Sequence, residues 1–146
     1  MATQIDGFMQ DAGSKLMDAE RLTKISRHAE AVQRAQEAIE LYAKSVFLLV
    51  GQAYPRRHEF TEEEFLAVID EVPAELKYLR FPRLYLLHRF WAAFYTTSKY
   101  GYEALETPPS AVFGSDEAKL AIIHGREWQN AAIRLRTVVT APAAST

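Results

Sequence analysis

The sequence predicts an all-α fold, an antiparallel up-down bundle of four to five helices, on three observations. Apolar side chains recur at helical spacing through several long segments. Glycine, proline and capping hydroxyls occupy the gaps between those segments. No stretch reads as a convincing run of strands, so an α/β architecture is not expected.

The first helix is predicted over residues 5–23, where Ile5, Met9, Ala12, Leu16 and Ala19 share one stripe. A break is expected near Ser26, with Ser26 as N-cap of the next helix. Residues 27–50 carry the strongest pattern. Val32, Ile39 and Val46 recur every seven residues, and Ala35, Tyr42 and Leu49 fill the interleaved positions. The small alanines allow a neighbouring helix to come close. Glu40 and Lys44 stand one turn apart in the favoured order and read as a structural pair. Gly51 is a natural C-cap, and Pro55 prevents continuation.

Thr61 and Glu64 occupy the reciprocal places of a capping box, which starts a short acidic helix ending near Asp70. Pro73 opens a further turn through Lys77. Pro82 suits the first position of the next helix, predicted to run to about Leu105 with Leu84, Leu87, Trp91, Tyr95, Ser98 and Tyr102 inside. After the rigid loop Thr107-Pro108-Pro109-Ser110, Ser115 is expected to cap the last helix, and Asp116 and Glu117 favour its first turn. Ala121, Gly125, Trp128, Ala132 and Leu135 mark that helix's buried face.

A chain of 146 residues, 49% hydrophobic and 25% charged, has a globular balance and is long enough to bury a core. One domain over residues 1–140 is expected, with a flexible tail at 141–146. A formal net charge of −2 is too small to attract nucleic acid or membrane in bulk. The absence of cysteine excludes disulfides, thiolate metal sites and cysteine nucleophiles. No apolar run approaches the roughly 20 residues of a membrane span, and the N-terminus lacks a basic region followed by an apolar stretch. A soluble, cytoplasmic protein without membrane contact is the expectation.

Helical bundles often hold metals, but a di-iron bundle needs Glu-x-x-His on its helices. The residues three before His28, His58, His88 and His124 are Ile25, Pro55, Tyr85 and Ala121, none of which ligates. No two histidines lie four apart, and no glycines form a phosphate-cradling loop. No metal site is expected.

The stretch from Ala35 to Ser45 holds Gln36, Ala38, Glu40 and Lys44 in the pattern Gln-x-Ala-x-Glu-x-x-x-Lys. Gly51 follows, and then a loop ending in His58-Glu59-Phe60. Further on stand Ser98-Lys99-Tyr100-Gly101 and Pro108-Pro109-Ser110-Ala111-Val112-Phe113-Gly114. In this order and spacing the chain resembles the HEPN domain (higher eukaryotes and prokaryotes nucleotide-binding), in its archaeal single-domain form, over most of residues 5–138. Similar proteins are antiparallel helical bundles, usually dimers. Many act beside a minimal nucleotidyltransferase in toxin–antitoxin or defence systems. The resemblance therefore implies a homodimer, nucleotide or RNA as ligand, a minimal nucleotidyltransferase as partner, and no cofactor. Active members are metal-independent endoribonucleases with an arginine four to six residues before a histidine.

Arg83 and His88 have that spacing, and the resemblance makes them the catalytic candidates. Histidine supplies an acid or base near pH 7, and arginine a fixed cation for the phosphorane's charge. Leu84 and Phe90 stand where active relatives often carry a polar residue and a tyrosine. Five helical steps also set the two side chains about 140° apart. The plainer reading has Arg83 solvated and His88 packed at the stripe's edge.

Charge is unevenly distributed. Residues 76–102 hold Lys77, Arg80, Arg83, Arg89 and Lys99 with no acid, whereas residues 59–75 hold seven acids and no base. The basic stretch also holds nine aromatic residues, Tyr85 and Tyr100 among them. Interleaved cations and rings suit a nucleotide or single-stranded RNA. Arg80, Arg83, Arg89, Lys99 and Tyr100 are the binding candidates. The plainer reading is a core helix with a basic outer face. Arg56-Arg57-His58 reads as a loop tie more readily than as a phosphate contact. Three functions stay open: a module binding nucleotide or RNA, a ribonuclease using Arg83 and His88, and a non-catalytic interaction bundle.

Overall fold

The computed structural model describes residues 2–56 and 60–141. They form α1 (Ala2–Lys24), α2 (His28–Leu49), α3 (Glu62–Glu71), α4 (Phe81–Ala92), α5 (Tyr95–Tyr100), α6 (Pro109–Val112) and α7 (Ser115–Val139). Two 3-10 turns, Ala74–Leu79 and Glu103–Leu105, flank α4 and α5. The described residues hold no strand, only an isolated bridge between Tyr102 and Thr107. The all-α expectation holds, and among the described residues no helix is long and apolar enough to cross a membrane.

Cross-links between helices give their directions. Along α1 and α2, Lys15 pairs with Glu37 at 2.8 Å, and Gly13 lies against Tyr42. Along α1 and α7, Asp6 pairs with Arg136 at 3.3 Å and Glu20 with Arg126. Along α4 and α7, Leu84 meets Trp128 and Trp91 meets His124. In each pair one number rises as the other falls, so α1, α2, α4 and α7 form an up-down-up-down bundle.

The predicted stripes are the buried ones. Met9, Ala12, Leu16 and Ala19 of α1 meet Val32, Ala35, Ile39, Tyr42 and Val46 of α2 and Ala121, Trp128, Ala132 and Leu135 of α7 in one core. Trp128 is fully buried, and its Nε1 donates to the Leu84 carbonyl at 3.1 Å, so its polar atom is satisfied.

Helix ends explain where the boundaries fall. Gly51, at φ +80°, ends α2: its N–H bonds Leu48 O and that of Gln52 bonds Phe47 O, a Schellman closure. The Thr61–Glu64 capping box starts α3, with both bonds present. Ser26 departs from expectation. It stands at φ +62° and closes α1 by the same pattern, with its N–H on Thr23 O and that of Arg27 on Leu22 O. The N-cap of α2 is Arg27, with no side-chain cap bond. Ser115 is likewise the first residue of α7, and Gly114 is its uncapped N-cap.

The helix predicted from Pro82 to Leu105 is two helices. It turns at Ala93–Phe94, where Phe94 packs against Phe90, Trp91 and Phe113, and it stops at Gly101. Gly101 has φ +78°, and a Cβ there would sit 2.1 Å from Thr107 O. Only glycine fits so close an approach of backbone to backbone. Tyr102, expected inside, is consequently exposed. The loop histidine His58 and the end of the expected tail lie outside the described residues.

Candidate functional site

The polypeptide enters α4 through Arg80, whose φ of +57° turns it out of the preceding 3-10 turn, and Pro82 follows in the first helical turn. This places Arg83 on the seam with α7. Its guanidinium grips Glu127 with a fork, Nε to Oε2 at 3.2 Å and Nη2 to Oε1 at 2.9 Å. The pair is partly exposed, 40% for Arg83 and 33% for Glu127. Glu127 thus neutralises the arginine that sequence spacing singles out.

His88 lies one face away and inside. It is 3% exposed, with its ring 4.1 Å from that of Phe60 and 6.4 Å from that of Trp128. Burial pushes its pKa down to about 4, so the imidazole is neutral at pH 7. Its Nδ1 has no hydrogen-bond partner among the described residues. No hydrogen bond joins His88 to Arg83 among those residues, and the two share no open surface.

The histidine beside Arg83 in space is His124. It stands one turn before Glu127 on α7, and its Nδ1 accepts from Trp91 Nε1 at 2.9 Å. That bond leaves the ring proton of the neutral form on Nε2. Burial lowers the His124 pKa, Glu127 opposes this, and Arg83 reinforces it. No sequence spacing identifies this trio, because Arg83 and His124 come from different helices. The one local sign was His124 and Glu127 at i, i+3.

The other candidate cations are open. Arg80, Arg89 and Lys99 are exposed, with no salt bridge among the described residues. Arg89 lies over the Tyr85 ring at 5.9 Å. Lys99 lies over Tyr95 at 5.7 Å and over Tyr100 at 5.6 Å, and Tyr100 is itself exposed. Arg89 and Lys99 are thus cations backed by rings, and no carboxylate among the described residues forms a salt bridge with them or with Arg80. Of the acids on α3, Glu64 closes its own capping box. Among the described residues no cluster of three or more histidine, aspartate or glutamate side chains is arranged to hold a metal.

The buried neutral His88 makes stability depend on pH. An unfolded histidine takes up a proton near pH 6.5 and the folded one near 4. Between those values the unfolded chain binds more protons, so stability falls as pH falls. His88→Phe, which keeps a ring in the site, should lose about 3 kcal/mol less stability than the native chain between pH 7 and 4. Denaturant unfolding at both pH values measures this; parallel losses in the two proteins would contradict a buried neutral imidazole.

Comparison with known proteins places this geometry in a family. The HEPN domain family model matches residues 5–127. The crystal structure of TT1696 from Thermus thermophilus is similar over 90% of this chain and 98% of its own, with a TM-score of 0.67 and 17% sequence identity, a likeness of fold. No curated protein matches the chain. The matched segment takes in the core stripes of α1, α2 and α4 and most of the candidate site; this chain belongs to the HEPN domain family.

Proposed function

We propose that this HEPN-domain protein binds single-stranded RNA or nucleotide through the outer side of α4 and α5. The observation that carries the reading is a pair of ring-backed cations with no salt bridge among the described residues, Arg89 over Tyr85 and Lys99 over Tyr95 and Tyr100. Such cations supply phosphate attraction, while exposed Tyr100 offers a stacking face. Arg80 adds a third open charge. Arg83 would join only by releasing Glu127.

Cleavage through Arg83 and His88 is the second family-derived reading, and it asks more of the fold. Phe60 would have to leave the His88 ring, and Glu127 would have to leave Arg83. No observation favours it over binding.

The functional unit in this reading is a homodimer. Arg83, Leu86 and Phe90 share one stripe of α4, and Leu120, Ile123 and Glu127 share one stripe of α7. The Arg83–Glu127 pair joins the two stripes, and the four apolar members are 41–62% exposed. A second copy covering this face would remove them from water. A minimal nucleotidyltransferase and a cytoplasmic setting complete the proposal, supported by family membership alone.

Two outcomes are expected. Fluorescence anisotropy with a hydroxyl-ended single-stranded RNA should show salt-sensitive binding. Arg89→Ala combined with Lys99→Ala should weaken it and reduce the slope of log K against log salt by about 1.4. An unchanged slope would remove these cations from the interface. Sedimentation should give a dimer at micromolar concentration. Leu86→Glu with Ile123→Glu should give a monomer of equal helical content; a dimer that persists would place the interface elsewhere.

A further inference from the structure

An open cavity of about 390 Å³ lies where the start of α2 meets α5 and α6. That volume falls within the roughly 300–1,000 Å³ of small-ligand sites. Its lining brings together Arg27 and Lys99, the hydroxyls of Ser26 and Ser110, and the buried ring of Phe113. These residues come from three distant stretches of sequence. The left-handed Ser26 turns the chain at the end of α1, which sets Arg27 at the cavity. The close approach at Gly101 and the Tyr102–Thr107 bridge fold the chain back, so that Ser110 shares the cavity with Lys99.

Its charges do not cancel. Arg27 is paired with Glu30, which also lines the cavity. Lys99 has no carboxylate within salt-bridge distance among the described residues, and its ammonium lies over the rings of Tyr95 and Tyr100. One positive charge is left over, beside hydroxyl donors and the first turn of α2, which no side chain caps. A phosphate monoester complements that set, with up to two negative charges and three acceptor oxygens. The cavity's volume is of the size that takes one nucleotide. Phe113 and Pro109 supply an apolar wall for sugar or base.

We propose that this cavity binds the terminal phosphate of one nucleotide, as a nucleoside monophosphate or as the 5′-phosphorylated end of an RNA. Lys99 is its principal cation, and Ser110 and Ser26 are hydroxyl donors. The proposal rests on the nucleotide-binding reading above and gives it a place and a ligand form.

Calorimetry on the full chain with AMP and with adenosine tests it. AMP should bind, and adenosine should bind about tenfold or more weakly, the order of one charge-assisted hydrogen bond. Lys99→Ala should weaken AMP by a similar factor, and Ser110→Trp, which fills the cavity from an exposed position, should abolish binding. Lys119→Ala, an exposed cation of α7 that does not line the cavity, should leave AMP binding unchanged. No AMP binding, equal binding of adenosine, or AMP binding that survives Ser110→Trp overturns the proposal. Circular dichroism of each variant separates loss of site from loss of fold. Competition of AMP by 5′-phosphorylated but not by 5′-hydroxyl RNA identifies an RNA end as the source; competition by neither identifies a free mononucleotide. Hydroxyl-ended RNA binding to the native chain tests the broader reading separately, so the cavity and that reading fail distinguishably.

Discussion

Three long helices pack against one another through small side chains, and the rest of the fold is built on that contact. Ala12 and Ala19 on α1, Ala31, Ala35 and Ala38 on α2, and Ala118, Ala121, Ala131 and Ala132 on α7 are all essentially without solvent exposure. The tightest point is Gly125, where a Cβ would sit 2.5 Å from Leu16 Cδ2. Leu16 is itself fully buried, so it has little room to yield. Close approach also fixes the polar contacts at the seam. Gln129 donates to the Tyr42 hydroxyl at 2.8 Å, and burial raises the Tyr42 pKa. A bulkier seam would move α7 outward and take with it everything α7 holds.

What α7 holds is α4. Trp128 anchors the Leu84 carbonyl, Glu127 grips Arg83, and His124 accepts the Trp91 N–H. These contacts turn the inner stripe of α4 into core and leave Arg89 on its open side. They also account for the fates of the two residues paired by sequence spacing. Arg83 falls on the seam, where a carboxylate meets it. His88 falls inside, under Phe60 and beside Trp128, where an imidazole is held neutral. Past the turn at Ala93–Phe94 the chain leaves α7, and Lys99 emerges on α5 at the opposite edge of the basic stretch, next to the start of α2.

The helical stripes were legible because burial imposes a period, and Leu16, Ile39, Trp128 and Leu135 obey it. Gly51 and the Thr61–Glu64 box were legible because their chemistry is local. Serine is ambiguous in the same local terms. Ser26 and Ser115 carry the side chain of an N-cap, yet one takes a left-handed closing position and the other lies inside the first turn. The turn between α4 and α5 has no proline or glycine to announce it; aromatic packing around Phe94 sets it. The site was only half legible. Arg80, Arg89, Lys99 and Tyr100 are exposed, which the uneven charge along the sequence already suggested. The grip of Glu127 on Arg83, the place of His124, and the meeting of Arg27 with Lys99 arise from contacts across the chain that spacing does not encode.

The seam between α1 and α7 is most directly tested by a double-mutant cycle of Leu16→Ala and Gly125→Ala, read by denaturant unfolding. Packing of Leu16 onto bare backbone predicts that Gly125→Ala destabilises the native chain by overpacking but not the Leu16→Ala chain, where the added methyl fills vacated space. The coupling should be about 1–3 kcal/mol in favour of the double variant. Effects that add within about 0.5 kcal/mol would mean that the two residues do not meet as described, and the placement of α7 and α4 built on that contact would fall.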